Sequence, residues 1–223
     1  MAVAPQPRVR RTQAERVAES DRRMLDAATS LIATHGYAAT TFEAIGVEAG
    51  YSRQLVAQRF GSKDRLLEAV ISRHIDVLRR LAAEGRASLT GLAALYNEID
   101  TYLHALNAPS VESRAFFVLM LESAGPVPQL RPTFASFSVQ WEAMLLQDIR
   151  DGQGRGSLRP DVDARTEARL LIATLRGILI QSMIDPQASD VPAALNTLKV
   201  ALAERLLSRS VPQNHPQPAA RHT

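Results

Sequence analysis

Apolar residues recur along this 223-residue chain at spacings of three and four, the period of a helix packed on one side. Leu25, Ala28, Leu31 and Ile32 form the first such stripe, which stops at His35 and Gly36, where glycine can take a left-handed cap. A first helix is therefore predicted from about Val17 to His35. Thr40, followed three residues later by Glu43, reads as a capping box opening a short second helix that ends near Glu48. Gly50 permits a sharp turn, Ser52 can cap a third helix over Arg53 to Phe60, and Gly61-Ser62 breaks the chain again. A long fourth helix, with Leu66, Leu67, Val70, Ile71, Ile75, Leu78 and Leu81 on its stripe, runs to about Glu84.

Helical spacing continues at about Leu89 to Leu106, Ser110 to Ser123, Gln129 to Asp151, Asp163 to Ile184 and Val191 to Ser208, with proline or glycine in the gaps. No alternating stretch is long enough for a strand. The expected fold is all-α with about nine helices. A basic disordered arm occupies 1–17, an amino-terminal three-helix domain 18–80, a larger helical domain 81–210, and a disordered tail 211–223.

The most specific signal is the segment TTFEAIGVEAGYSRQLVAQRFGSK. Gly46 suits a close helix crossing, Gly50 makes the turn, and Val56 returns the third helix to the core beside Ile45, Ala49 and Phe60. That leaves Tyr51, Ser52, Arg53, Gln54, Gln58 and Arg59 facing outward, with Lys63 at the next helix start. A helix presenting amides and guanidiniums matches the edge pattern of the DNA major groove.

The longer run from Arg22 to Val70 resembles the amino-terminal domain of the TetR family of bacterial transcriptional regulators. The resemblance is closest over about 20–72 and rests on Ala27-Ala28, Gly36-Tyr37, Thr40-Thr41, Ala49-Gly50, Phe60, Ser62, Lys63, Leu66 and Leu67. It implies a cytoplasmic homodimer whose second and third helices read a palindromic operator, and whose carboxy-terminal domain binds an inducer. The chain departs from the family where it has Gly46 for alanine, Tyr51 for valine and Gln54 for glycine, and where Ala57 and Gln58 lack an aromatic phosphate contact.

By place in the motif, Thr41, Ser52, Arg59 and Lys63 are expected on phosphates, and Arg53, Gln54 and Gln58 on base edges, with Tyr51 beside them. About 3 to 4 phosphates neutralised per monomer would give a dimer a salt slope of roughly −5 to −7. Arg8, Arg10 and Arg11 are either a minor-groove arm or a solvated terminus.

In the second half, the helix from 170 to 184 is apolar on more than one side and needs cover on both. Its Leu171, Thr174, Leu175 and Ile178, with Leu195, Leu198 and Leu202 of the last helix, are expected at a two-fold four-helix interface, the alternative being one deeply buried central helix in a monomer. Phe116, Phe117 and Met120 on one helix and Phe137, Trp141, Met144 and Leu145 on the next gather bulky side chains, with Tyr102 and His104 as polar handles. This cluster would line a site for a small hydrophobic or aromatic effector, or would be plain core. A regulator without any small ligand is the alternative.

Charge sharpens the picture. The net +3 divides into 13 basic and 9 acidic residues over 1–80, net +4, and a remainder of net −1. The excess lies with the DNA-reading segment. Cysteine is absent, the five histidines have no metal-ligand spacing, and no GxSxG, P-loop or GxGxxG occurs, so neither a cofactor, a metal nor an enzyme activity is expected. The longest near-apolar run falls short of the roughly 20 residues of a membrane span, and the MAVAPQPRVRR start has no secretory pattern.

Overall fold

A computed structural model describes residues 12–86, 88–107, 110–187 and 189–207, the stretch 103–107 by its backbone alone. The arm residues 1–11, including Arg8, Arg10 and Arg11, and the tail 211–223 lie outside the described residues. Nine α-helices are found among those described: α1 (Gln13–Ala39), α2 (Phe42–Ala49), α3 (Arg53–Phe60), α4 (Lys63–Arg86), α5 (Leu92–Asn107), α6 (Val111–Ser123), α7 (Arg131–Gly154), α8 (Ala164–Ile184) and α9 (Val191–Leu206). A 3-10 turn, Pro128–Leu130, precedes α7. The fold is all-α, as expected, with an amino-terminal helix-turn-helix.

Two local differences have clear causes. α1 begins four residues before the predicted start because Thr12 and Glu15 make a complete capping box, each side chain bonded to the other's backbone N–H. α2 is capped by Thr41 rather than Thr40: Thr41 Oγ1 accepts from Ala44 N, while the buried Thr40 hydroxyl donates to Gly36 O. The predicted stop at Gly36 survives as a kink inside α1, with φ 74° and ψ −176°, a region open to glycine.

Met24, Ala28 and Ile32 of α1 pack with Ile45, Val56, Leu66 and Leu67 to close the first three helices over the start of α4. The same core continues through α4 and α6 into α5, α7, α8 and α9. At this junction His74 of α4 is buried and lies 4.8 Å from the Phe116 ring of α6. Burial pushes its imidazole down to about 4, with Glu112 opposing and Arg73 reinforcing.

His74 is thus neutral in the folded state, while the unfolded chain gains a proton below its ordinary pKa of about 6.5. The stability this gives is complete above pH 6.5 and is lost as pH falls through 4, by about 2 kcal/mol already at pH 5. Urea midpoints should therefore drop between pH 7 and pH 5, and His74→Met should flatten that drop. An unchanged drop in the variant would assign the acid sensitivity elsewhere.

Candidate nucleic-acid interface and effector cavity

The turn between α2 and α3 is set by two glycines. Gly50 takes φ 76° and ends α2. A Cβ on Gly46 would come 2.7 Å from Tyr51 O and 3.2 Å from Arg53 N, so only a bare backbone lets α3 start this close to α2. The fully buried Val56 holds α3 down, and Ser52 Oγ caps it by accepting from Leu55 N. Arg53, Gln54 and Gln58 are left exposed and make no side-chain hydrogen bond among the described residues. Thr41 and Ser52 are exposed as well, and because each cap uses only an oxygen lone pair, each O–H stays free to donate. Tyr51 is half-buried.

The two strongest phosphate candidates are already engaged. Arg59 makes a two-pronged ion pair with Asp21 of α1, at 2.7 and 2.9 Å. Lys63 Nζ donates to Tyr37 O and stands 3.7 Å over the Tyr37 ring, and burial pushes its pKa down. Asp21 lies 38 positions from Arg59, and no local pattern marks it.

From the kink of α1 the fold connects directly to α6. Glu122 near the end of α6 accepts from Tyr37 N, at 3.1 and 3.3 Å, and fills the space where Gly36 has no side chain. Six residues earlier on the same helix, Phe116 and Phe117 line an aromatic cavity of about 190 Å³. Tyr102 of α5, Phe137, Trp141 and Met144 of α7, and Arg176 of α8 also line it. α4 supplies Leu78, Arg79, Ala82, Ala83 and Arg86.

Six of the nine expected ligand residues are in this wall: Tyr102, Phe116, Phe117, Phe137, Trp141 and Met144. Leu145 is instead fully buried core and Met120 is half-buried against that core, each one turn farther along its helix than the cavity residues Trp141 and Phe116. The side chain of His104 lies outside the described residues. The Trp141 ring stacks on both Tyr102 and Phe137, with centroids 5.7 Å apart in each pair.

Of the polar members only Tyr102 was marked by the sequence, and the charged ones were not. Glu98 Oε1 accepts from Trp141 Nε1 at 2.6 Å, and burial pushes its carboxyl up, against the pull of Trp141 and Arg86. Arg86 pairs with the buried Asp148 of α7 at 2.5 Å. Arg176 bonds to Ser138 Oγ at 2.8 Å and lies 5.6 Å from the Trp141 ring.

The residues assigned to a two-fold interface divide unequally. Leu171, Leu175, Leu195, Leu198 and Leu202 are buried in the chain's own core, Ile178 is half-buried, and only Thr174 is exposed. The leucine stripe of α9 faces α5 and α8 of the same chain, so these five leucines present no surface to a partner. What α8 and α9 leave open is a different strip: Leu170 at 49%, Ile184 at 71% and Val200 at 52% exposure, with Ala173 and Gly177 between them. Among the described residues no helix is long and apolar enough to cross a membrane.

Known proteins of this architecture match most of the chain. The family model for bacterial regulatory proteins of the tetR family matches residues 24–70, and that for the carboxy-terminal part of BetI-type transcriptional repressors matches 92–207. The HTH-type transcriptional regulator UidR of Escherichia coli (strain K12) is 23% identical over 169 residues, covering 76% of this chain and 82% of UidR. A TetR transcriptional regulator from Chloroflexus aurantiacus superposes with a TM-score of 0.77 at 24% identity, over 86% of this chain and 99% of that one. A regulator from Saccharomonospora viridis, solved in complex with choline, gives 0.75 at 25% identity, over 86% and 100%. With the helix-turn-helix in place at one end and a matching helical domain at the other, the chain belongs to the TetR family of transcriptional regulators, which are DNA-binding proteins and not enzymes.

Proposed function

We propose that the chain is a homodimeric repressor that binds a palindromic operator through α2 and α3 and is released by a small apolar or aromatic effector held between α4, α5, α6, α7 and α8. One observation carries this reading: α4 and α6 each join the cavity wall to the amino-terminal domain that carries the reading helices. α4 starts at Lys63, against the α1 corner, and places Arg79, Ala82, Ala83 and Arg86 in the cavity wall. About sixteen residues at 1.5 Å each put these two ends roughly 24 Å apart on one rigid rod. α6 joins Phe116 to Glu122, whose carboxylate holds the backbone of Tyr37.

An effector that fits better when α4 and α6 are displaced would favour that pose by its differential affinity and no more. In a dimer, small rotations of the two rods change the separation of the α3 helices from the roughly 34 Å between successive major grooves. The choline complex of the Saccharomonospora viridis regulator supports a small-molecule site in a protein of this fold, and the name of the second family model supports repression.

The test is to select operator fragments from genomic DNA with the purified protein, then screen hydrophobic compounds by thermal shift and measure operator release by fluorescence anisotropy. Compounds that raise the melting temperature should also release DNA, and log affinity should fall with log salt at roughly −5 to −7. Compounds that bind tightly without releasing DNA would leave a DNA-binding dimer with no effector role.

A further inference from the structure

Among the described residues, three polar atoms of the cavity wall have no partner: Glu98 Oε2, Tyr102 Oη and Arg86 Nη1, the last on a guanidinium whose other nitrogen is held by Asp148. Glu98 and Tyr102 are more than nine-tenths buried, at 7% and 6% exposure. They stand one turn apart on α5, at i and i+4, so their tips share one face. Trp141 fixes both of them: its Nε1–H holds Glu98 Oε1 and its ring stacks on Tyr102 at 19°. Buried polar groups in native proteins are paired, and two unpaired ones side by side in an apolar cavity mark where an occupant's polar group goes.

The surrounding charges narrow that group. A cation would face Arg79, Arg86 and Arg176 in the same wall. An anion would have Arg86 Nη1 to accept from but would lie beside the Glu98 carboxyl. A hydroxyl can donate to Glu98 Oε2 when that group is ionised and accept from it when it is protonated, and in either case it retains a hydrogen-bonding partner in Tyr102 Oη. The rest of the lining, from Phe116, Phe137 and Met144, offers carbon surface and ring edges for an aromatic body.

Building on the effector role proposed above, we infer that the cavity takes an uncharged, hydroxyl-bearing aromatic ligand of the phenol or hydroxylated fused-ring class. Its O–H sits between Glu98 and Tyr102, and its ring carbons lie against Phe116 and Phe137.

The chain's single tryptophan is Trp141, so its fluorescence reports occupancy of this wall directly. The probes are 2-naphthol, naphthalene, 2-naphthoate and 2-naphthyltrimethylammonium, titrated by calorimetry and by Trp141 quenching, with operator release measured in parallel. 2-Naphthol should bind tightest of the four. Tyr102→Phe should weaken 2-naphthol about 3- to 10-fold, the effect of one net hydrogen bond, and leave naphthalene within about 2-fold. Glu98→Gln, which keeps a donor and an acceptor without charge, should retain 2-naphthol within about 3-fold.

A charged probe that binds more tightly than 2-naphthol and releases the operator would overturn the ligand class while leaving the effector role standing. Equal losses of 2-naphthol and naphthalene in Tyr102→Phe would show that the cavity reads carbon surface alone, which also overturns it. If no probe quenches Trp141 or releases DNA, both the class and the effector role fail.

Discussion

Arg53→Ala is expected to lower operator affinity of the dimer by about two to four orders of magnitude, since a bidentate arginine contact to a base is worth about 1–3 kcal/mol and the dimer carries two. Arg53 is the first residue of α3, directly after the Ser52 cap, and the amino-terminal residues of a recognition helix are those that reach base edges. Its guanidinium is exposed and makes no bond among the described residues, so its removal leaves the fold intact and takes nothing from the free protein. Arg59 is the contrast. It must loosen its pair with Asp21 before it can serve a phosphate, so Arg59→Ala should cost less and should weaken operator and scrambled duplexes alike. Anisotropy on both duplexes at fixed salt checks this. Equal losses on both for Arg53→Ala would move that residue to the phosphate-binding group.

How much of this was legible in the sequence depends on distance along the chain. The reader was legible because its determinants lie within twenty residues: Gly46 and Gly50 for the close turn, Ser52 for the cap, Val56 for the anchor. The start of α1 was missed because its first turns are largely exposed and carry no apolar stripe, although Thr12 and Glu15 gave the cap signal in plain view. Contacts between distant segments could not be seen. Arg59 with Asp21 spans 38 positions, Arg86 with Asp148 spans 62, and Tyr37 with Glu122 spans 85. The aromatic members of the cavity stood out by bulk, while Glu98, Arg86 and Arg176 looked like ordinary helix-surface charges. Periodicity identifies which residues share a face, but not which neighbour covers it.

The open strip on α8 and α9 is where that ambiguity has the largest consequence. Leu170→Glu with Ile184→Glu is expected to convert the proposed dimer to monomer and to lower operator affinity by about two to three orders of magnitude. Both positions are exposed in the single chain, at 49% and 71%, so the double variant should keep the melting behaviour of its own fold, surface changes costing about 0.5 kcal/mol or less. In a two-fold dimer through this strip, four carboxylates would be buried without partners, which costs far more than the apolar contact they replace. A monomer then binds one half-site at a time and loses the effective concentration, about millimolar for linked sites, that bivalent binding supplies. Leu171→Ala is the matched control. Leu171 is 1% exposed in the single chain, so that change should destabilise the fold by about 2–5 kcal/mol without weakening association of the folded subunits. Sedimentation equilibrium at micromolar protein separates the two outcomes, and a double variant that still sediments as a dimer would place the interface on another face.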